Sequence, residues 1–153
     1  MMLPDDQKHI NGTGDISELM FRTIPMLKKK LGGLYAMPET HGMPNSQVQL
    51  LMLLDENGTM SVTQISQWFG ITKPNITPMV DRMISLGYVY RERSKRDRRI
   101  VNVVIQEAGR EKLALIRAAF NEQVVLWTSV LTEDEVNEFA GSLASILKIL
   151  TGM

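Results

Sequence analysis

The residues most suited to a chemical role are charged, and basic side chains are concentrated in the middle of the chain. Residues 73–99 carry eight basic and three acidic side chains, although the 153-residue chain has zero net charge. These 27 residues therefore hold a charge of +5, and the other 126 residues hold −5. A local positive excess is typical of a surface that binds the phosphates of nucleic acid. A solvated charged hairpin is the alternative interpretation of the basic run.

A short helix with polar side chains is predicted to begin after Thr72. Pro74 falls in its first turn, where a missing N–H costs little, whereas Pro78 lies deeper and removes one helix hydrogen bond. The amide of Asn75 has the donor and acceptor that pair with adenine in the major groove. Thr72 serves either as an N-cap or as a DNA contact. The candidate DNA-binding residues of this helix are Thr72, Lys73, Pro74, Asn75, Thr77 and Arg82.

A second short helix precedes it, and a very tight turn joins the two. Ser61 and Gln64 have the spacing of a capping box, which predicts a helix start at this point. The same helix N-terminus is an anion site, so both residues are also candidate phosphate contacts. The helix is predicted to end at Gly70, leaving only Ile71 before Thr72. Two short helices joined in this way indicate a helix-turn-helix.

A β-hairpin with a basic tip is predicted to follow. Residues 88–93 and 100–105 are rich in β-branched and aromatic side chains, and residues 94–99 between them are polar. Alternation along the tip places Arg96 and Arg98 on one side, and Asp97 and Arg99 on the other. The candidate DNA-binding residues of the tip are Lys95, Arg96, Arg98 and Arg99.

Helices are predicted on both sides of this region. A first helix spans about 15–34 and contains Pro25, residues 38–44 form a loop, and a second helix ends at Asn57-Gly58. Thr132 and Glu135 form a capping box between two long C-terminal helices. The predicted fold is mostly α-helical with a small β-hairpin.

The two C-terminal helices have more apolar surface than the rest of the chain can cover. Their heptad spacing predicts either pairing with a second copy of the chain or packing within it. The first heptad set is Leu113, Ile116, Phe120, Trp127 and Val130, and the second is Val136, Phe139, Leu143, Ile146 and Leu150. We expect a homodimer.

Catalytic and metal-binding patterns have little support in the sequence. There is no Walker A loop, Gly-x-Ser-x-Gly elbow or His-Glu-x-x-His motif. His9 and His41 are expected to be solvated, not metal ligands, and zero Cys excludes a thiol redox switch. We expect no metal, no cofactor and no enzyme activity, although an enzyme with an unrecognised site remains a weaker hypothesis. The acidic start of the chain and the lack of a long apolar run predict a cytoplasmic protein without a membrane segment.

The order of these elements resembles that of the MarR family of winged-helix transcription regulators. Four short sequence motifs, the landmarks, also resemble the family in residue type and spacing. The landmarks are Val80-Asp81-Arg82-Met83, Leu86-Gly87-Tyr88-Val89 with Arg91, Asp97-Arg98-Arg99, and Ile105-Gln106-Glu107-Ala108-Gly109-Arg110. The resemblance implies one domain over residues 1–153. In it, residues 45–105 form a winged helix-turn-helix lobe, and residues 15–34 and 107–151 form dimerisation helices.

The resemblance also implies roles for the hairpin, which becomes the wing. Asp97 would be a structural acceptor that holds an arginine of the wing, while Arg96 or Arg98 enters the minor groove. The chain departs from the family pattern at Ser94, where many members have an acidic residue, and at Pro78. The serine makes the tip more positive. The proline affects the angle at which the helix that begins after Thr72, the recognition helix of the family, enters DNA.

The sequence therefore predicts a sequence-specific regulator that binds double-stranded DNA at a pseudo-palindromic operator. The resemblance implies a repressor that is released by a small aromatic or anionic effector, for which no binding residue is identified. A winged-helix protein-interaction module that does not read bases is the alternative. Thiol-based peroxide sensing, known in part of the family, is excluded by the absence of cysteine.

Overall fold

The computed structural model describes residues 12–30, 42–94, 97 and 99–152. The helices are α1 Thr13–Lys30, α2 Asn45–Asn57, α3 Val62–Phe69, α4 Lys73–Ser85, α5 Glu107–Thr128 and α6 Glu133–Thr151. The strands are β1 Met60–Ser61, β2 Val89–Arg93 and β3 Val101–Ile105. The predicted end of the first helix near Leu34, and most of the predicted loop after it, lie outside the described residues.

The described residues divide into two compact units. The winged unit comprises the described residues of 42–122, and the helical unit comprises residues 12–30 and 123–152. The mostly helical fold class predicted from the sequence is confirmed, because the described strands form one small antiparallel sheet.

The core of the winged unit is built on α2 and α4. Leu50, Leu51 and Leu54 of α2 are fully buried, as are Ile76 and Val80 of α4. These positions recur with the period of a helix, so each helix turns one apolar face inward. Burial of this apolar face fixes the orientation of α4 in the core of the winged unit.

The sheet contains a strand that the sequence did not predict. β1 pairs with β3 at Met60↔Val103 and Ser61↔Asn102, giving the strand order β1-β3-β2. Residues 59–64 were predicted only as the start of a helix. A strand of two residues is too short to show alternation, and its pairing partner is distant in the sequence. The β2–β3 hairpin itself is confirmed, with Val89 opposite Ile105 and Arg93 opposite Val101.

The first turns of α5 pack in the winged unit. Leu113 and Ile116 are buried in its core, and Nη1 atoms of Arg110 and Arg117 lie 2.9 and 3.0 Å from the carboxylate oxygens of Asp55 on α2. The expectation that Leu113 and Ile116 belong to an uncovered dimer seam is therefore wrong. An apolar heptad specifies which face is buried, but not which element covers it.

The helical unit leaves much apolar surface uncovered. None of the described residues of α1 or α6 is buried, and Ile146, Leu147 and Leu150 of α6 are each more than half exposed. Trp127 and Phe139 make an edge-to-face contact with ring centroids 4.8 Å apart. Val130 does not continue the heptad, because α5 ends at Thr128 and Val130 is 81% exposed.

The predicted capping box at the start of α6 is confirmed. The backbone N–H and the hydroxyl of Thr132 both donate to Oε2 of Glu135, over 2.8 and 2.9 Å. The hydroxyl of Thr132 in turn accepts from the N–H of Glu135. These hydrogen bonds lower the pKa of the Glu135 carboxyl, because they favour its charged form.

Candidate nucleic-acid interface

The turn between α3 and α4 is fixed by backbone hydrogen bonds. Gly70 adopts a left-handed conformation with φ 65° and ψ 24°. Its N–H donates to the Gln67 carbonyl, and the N–H of Ile71 donates to the Ser66 carbonyl, each over 3.1 Å. This pair of bonds is the Schellman pattern, which a residue with a Cβ closes less readily. The predicted helix-turn-helix is therefore present, with Thr72 at the N-cap of α4.

Ser61 and Gln64 cap α3 as predicted. The Ser61 hydroxyl accepts from the N–H of Gln64 over 3.2 Å, and Oε1 of Gln64 accepts from the N–H of Ser61 over 2.9 Å. The Ser61 hydroxyl also donates to Oε1 of Gln64 over 2.9 Å. Both side chains are held beside the first turn of the helix, where free N–H groups attract an anion.

Thr72 has the N-cap position without the capping hydrogen bond. Its backbone is extended, with φ −73° and ψ 155°, but its side chain makes no cap hydrogen bond. Its carbonyl accepts from the N–H groups of Asn75 and Ile76. Capping therefore does not account for the exposed Thr72 hydroxyl at the start of α4.

The remaining candidates of α4 lie on different sides of the helix. Lys73, Asn75 and Arg82 are exposed, and the Thr77 hydroxyl donates to the Lys73 carbonyl over 2.8 Å. Successive helix residues are about 100° apart, which places Asn75 and Arg82 on one flank and Lys73 and Thr77 on the other. One group on this helix can therefore face bases while the other faces a phosphate strand.

A cleft of about 530 Å³ brings several candidates together. It lies where the N-termini of α3 and α4 meet the tip end of the hairpin, at the start of β3. Lys73 and Arg99 supply its positive charge, and both are exposed. The lining residues are Ser61, Val62, Thr63, Gln64, Lys73, Arg99, Ile100 and Val101. Two cations beside a capped helix N-terminus are suited to a phosphate group.

Thr63 is a residue of this cleft that the sequence analysis missed. It is exposed at the second position of α3, next to Gln64. The capping box at Ser61 was the signal that could have identified it, because a residue in the first helical turn lies beside the same free N–H groups.

Asp97 organises the tip of the hairpin. Its Oδ1 accepts from the backbone N–H of Arg99 over 2.9 Å, and its carbonyl accepts from the N–H of Ile100 over 3.0 Å. The N–H of Ser94 donates to the Ile100 carbonyl, which closes the hairpin. Asp97 thus contacts Arg99 through the backbone. Lys95, Arg96 and Arg98 lie outside the described residues.

An ion pair joins the hairpin to α4. Nη1 of Arg91 on β2 lies 2.8 Å from Oδ1 of Asp81, and both side chains are partly exposed. Two of the charges counted in the basic stretch therefore neutralise each other. This pair was not anticipated from the sequence, and it connects β2 to α4.

Arg82 is not part of the cleft that holds Lys73. It lines a second cleft of about 360 Å³ with Met43, Pro44 and Gln47 at the start of α2, and with Leu86, Tyr88 and Lys112. The predicted site residues therefore fall into two groups. One surrounds Lys73 and Arg99, and the other contains Arg82.

The described part of the chain has neither a metal-binding cluster nor a membrane-spanning helix. No group of three or more His, Asp or Glu side chains is placed to hold a metal ion in residues 12–30, 42–94, 97 and 99–152. His9 and His41 lie outside these ranges. No described helix is both long and apolar enough to span a bilayer.

Comparison with known proteins agrees with this geometry. The model of the MarR family matches residues 41–100, which run from the residues before α2 to the hairpin. YfiV, an uncharacterized HTH-type transcriptional regulator of Bacillus subtilis (strain 168), is 36% identical over 100 residues, covering 65% of this chain and 51% of YfiV. The winged segment of the chain is therefore similar to the MarR family. The chain spans about half the length of YfiV.

Two further described proteins are similar to this chain. The HTH-type transcriptional repressor MdtR of Bacillus subtilis (strain 168) is 24% identical over 108 residues, covering 71% of this chain and 70% of MdtR. The S. aureus MepR F27L mutant bound to an oligodeoxyribonucleotide has a TM-score of 0.62 and 20% identity, covering 88% of this chain and 97% of that one. The structural likeness shows that the fold is shared.

The landmarks that resemble the MarR family have structural roles in this chain. Val80 and Met83 are buried in the winged core, and Asp81 pairs with Arg91. Gly87 has φ 75°, which favours glycine, and closes α4 with a second Schellman pattern. These first two landmarks therefore connect α4 to the hairpin within the winged unit.

Proposed function

We propose that this chain is a member of the MarR family, a sequence-specific regulator that binds double-stranded DNA and acts as a repressor. The observation that carries the proposal is the cleft in which Lys73 of α4, Arg99 of the hairpin and the capped N-terminus of α3 meet. It offers positive charge and helix N–H groups to one DNA strand beside the exposed face of α4. MdtR is itself a repressor, and the MepR structure contains an oligodeoxyribonucleotide; both support the proposal.

The proposal gives each group of residues a different task. The N-terminal half of α4 enters the major groove, where Asn75 pairs with adenine and Thr72 or Thr77 contacts a neighbouring base or phosphate. Lys73, Arg99, Ser61 and Gln64 hold the phosphate backbone and fix the register. Arg96 or Arg98 of the wing is assigned to the minor groove, whose negative potential favours arginine, and Lys95 is assigned a further DNA contact of the wing.

The repressor acts as a homodimer in this proposal. The uncovered apolar residues of α1 and α6 would be buried against a second copy of the chain. Two copies related by a two-fold axis present two α4 helices to successive major grooves, so the operator is pseudo-palindromic. Such a regulator needs no cofactor, no catalytic activity and no membrane, and it works in the cytoplasm where its DNA is.

Release by a small aromatic or anionic effector is part of the same proposal. An effector weakens DNA binding only if it binds the DNA-incompetent spacing of the two α4 helices more tightly than the competent spacing. The support for an effector is the family resemblance, and no residue of this chain is assigned to it.

Selection of genomic fragments by the purified protein tests the proposed function. Fragments from the source genome are bound, recovered and sequenced over several rounds, then tested against random competitor DNA. A regulator enriches a two-fold symmetric sequence that binds at least 10³ times more tightly than random duplex, in the range known for specific binding. Binding of all fragments with equal affinity would contradict the proposal, and it would favour a protein-interaction module that contacts DNA only through its charge.

A further inference from the structure

A ridge of two prolines lies on the first two turns of α4, on the side opposite its buried face. Pro74 and Pro78 are four residues apart and both are exposed. At about 100° per residue they lie on one side of the helix, opposite the buried side chains Ile76, Val80 and Met83. Packing in the core therefore does not account for either proline.

This ridge offers no hydrogen-bonding side chain to a base over the first two turns of α4. A proline side chain has neither a donor nor an acceptor. Further along the same side, the Asp81 carboxylate pairs with Arg91, and the Ser85 hydroxyl donates to the Arg82 carbonyl over 2.7 Å. Asn75 and Lys73 stand on opposite flanks, so the centre of the exposed face is apolar while its edges are polar.

An apolar ridge can distinguish bases in the major groove in only a few ways. The C5-methyl of thymine is the apolar group on the groove floor, whereas the other bases present polar edges there. A pyrrolidine ring over cytosine would leave the N4 amino group without a partner and removed from water. Contact with a thymine methyl has no such cost.

We infer that Pro74 and Pro78 are specificity-determining residues that recognise thymine methyl groups at the centre of each operator half-site. The inference rests on the proposed function, since it requires α4 to lie in the major groove. It assigns Asn75 to a base beside the thymines and Lys73 to the phosphate strand on the other flank. The binding site therefore contains thymines whose methyl groups, and not only their hydrogen-bonding edges, contribute to affinity.

Replacement of thymine by uracil tests this inference, because it removes the methyl group and leaves base pairing unchanged. The selected fragment is synthesised once with thymine and once with uracil, and both duplexes are titrated with the protein. Burial of one methyl group corresponds to about fourfold in affinity, so the thymine duplex should bind about fourfold more tightly for each methyl covered.

The double variant Pro74→Ala with Pro78→Ala assigns the effect to the ridge. Alanine favours the helix and restores the N–H at position 78, so the variant should keep its circular dichroism spectrum. It should lower the thymine-to-uracil affinity ratio at least twofold, because the smaller side chain covers less of the methyl. Pro44→Ala, at the exposed N-cap of α2, is the matched control and should keep the wild-type ratio.

The outcomes separate this inference from the proposed function. Equal affinity of the wild type for the two duplexes, or the same ratio in the wild type and the double variant, would overturn the recognition of methyl groups while specific DNA binding stands. If the wild type does not distinguish the selected fragment from random DNA, then the proposed function fails and the inference fails with it.

Discussion

Nη1 of Arg91 lies 2.8 Å from Oδ1 of Asp81, and this contact links β2, the first strand of the hairpin, to α4. Because both side chains are partly exposed, the pair contributes at most about 1 kcal/mol to the free energy of unfolding. Its significance is geometric. We expect it to position the hairpin relative to the helix whose N-terminal residues are proposed to read bases.

Removing this pair should weaken DNA binding more than it weakens the fold. Arg91→Ala is expected to lower affinity for the selected fragment several-fold, with a change of about 1 kcal/mol or less in unfolding free energy. The exchanged variant Asp81→Arg with Arg91→Asp keeps the net charge and should recover part of the affinity. Fluorescence anisotropy of labelled duplex measures the DNA affinity of both variants, and urea unfolding measures their stability. If Asp81→Asn instead strengthens binding, then Arg91 contacts phosphate directly and the positioning role is wrong.

Asn75 and Lys73 should differ in how they affect DNA binding. Asn75→Ala is expected to cost about 1–3 kcal/mol on the selected fragment and much less on random duplex, because a base contact is lost. Lys73→Ala should weaken binding to both and lower the salt slope by about one, because a phosphate contact is lost. Titrations at several salt concentrations measure both quantities. Equal losses on the two duplexes for Asn75→Ala would show that Asn75 does not read bases.

Gly109 should not tolerate a side chain at its position in α5. A Cβ there would collide with the backbone carbonyl oxygen of Tyr88 and lie 3.0 Å from Cγ1 of Ile105. Because the main obstacle is backbone, Gly109→Ala should destabilise the chain by about 1–3 kcal/mol. Urea unfolding followed by circular dichroism measures the change.

Gly141 is the matched control for this substitution. It lies inside α6 with no heavy atom within 4 Å of an added Cβ. Gly141→Ala should therefore raise stability by about 0.5–1 kcal/mol through helix propensity alone. A Gly109→Ala variant as stable as the Gly141→Ala variant would show that α5 does not pack closely against Tyr88.

The apolar face of α6 should determine the oligomeric state. Ile146 and Leu150 are one helical turn apart, 53% and 61% exposed. Replacing both with Glu should convert a dimer into a monomer and sharply lower affinity for the two-fold operator, because charges cannot be buried unpaired. Lys148→Glu is the control and should remain dimeric. Light scattering coupled to gel filtration gives the mass, and a wild-type monomer would contradict the proposed assembly.

Features that depend on local chemistry could be predicted from the sequence. The capping boxes of Ser61 with Gln64 and of Thr132 with Glu135 each join residues three apart, and both are present. Gly58 and Gly70 end α2 and α3 at the predicted positions, both with positive φ. In each case the hydrogen bonds form within one helical turn, so the local sequence is sufficient.

Features that depend on tertiary contacts could not be predicted. Asp55 binds arginines 55 and 62 residues away, and β1 pairs with residues about 40 positions later. Arg82 lies in a cleft with Lys112, whereas Lys73 lies in a different cleft. The cleft of Arg82 is formed by residues of α4, of α5 and of the start of α2, which are distant in the sequence. Thr72 has the residue type of a cap, but its side chain makes no capping bond. Residue type and spacing state what a side chain can do, whereas packing decides which partner it meets.

The most direct test of sequence-specific DNA recognition is the affinity of the wild-type protein for its selected fragment and for a random duplex, measured across a range of salt concentrations. Phosphate contacts make both affinities fall with salt, whereas base contacts add a difference between them that persists. We predict a steep salt slope for both duplexes and a selected-to-random affinity ratio of at least about 10³ at physiological salt. Two affinity curves that coincide at every salt concentration would contradict it.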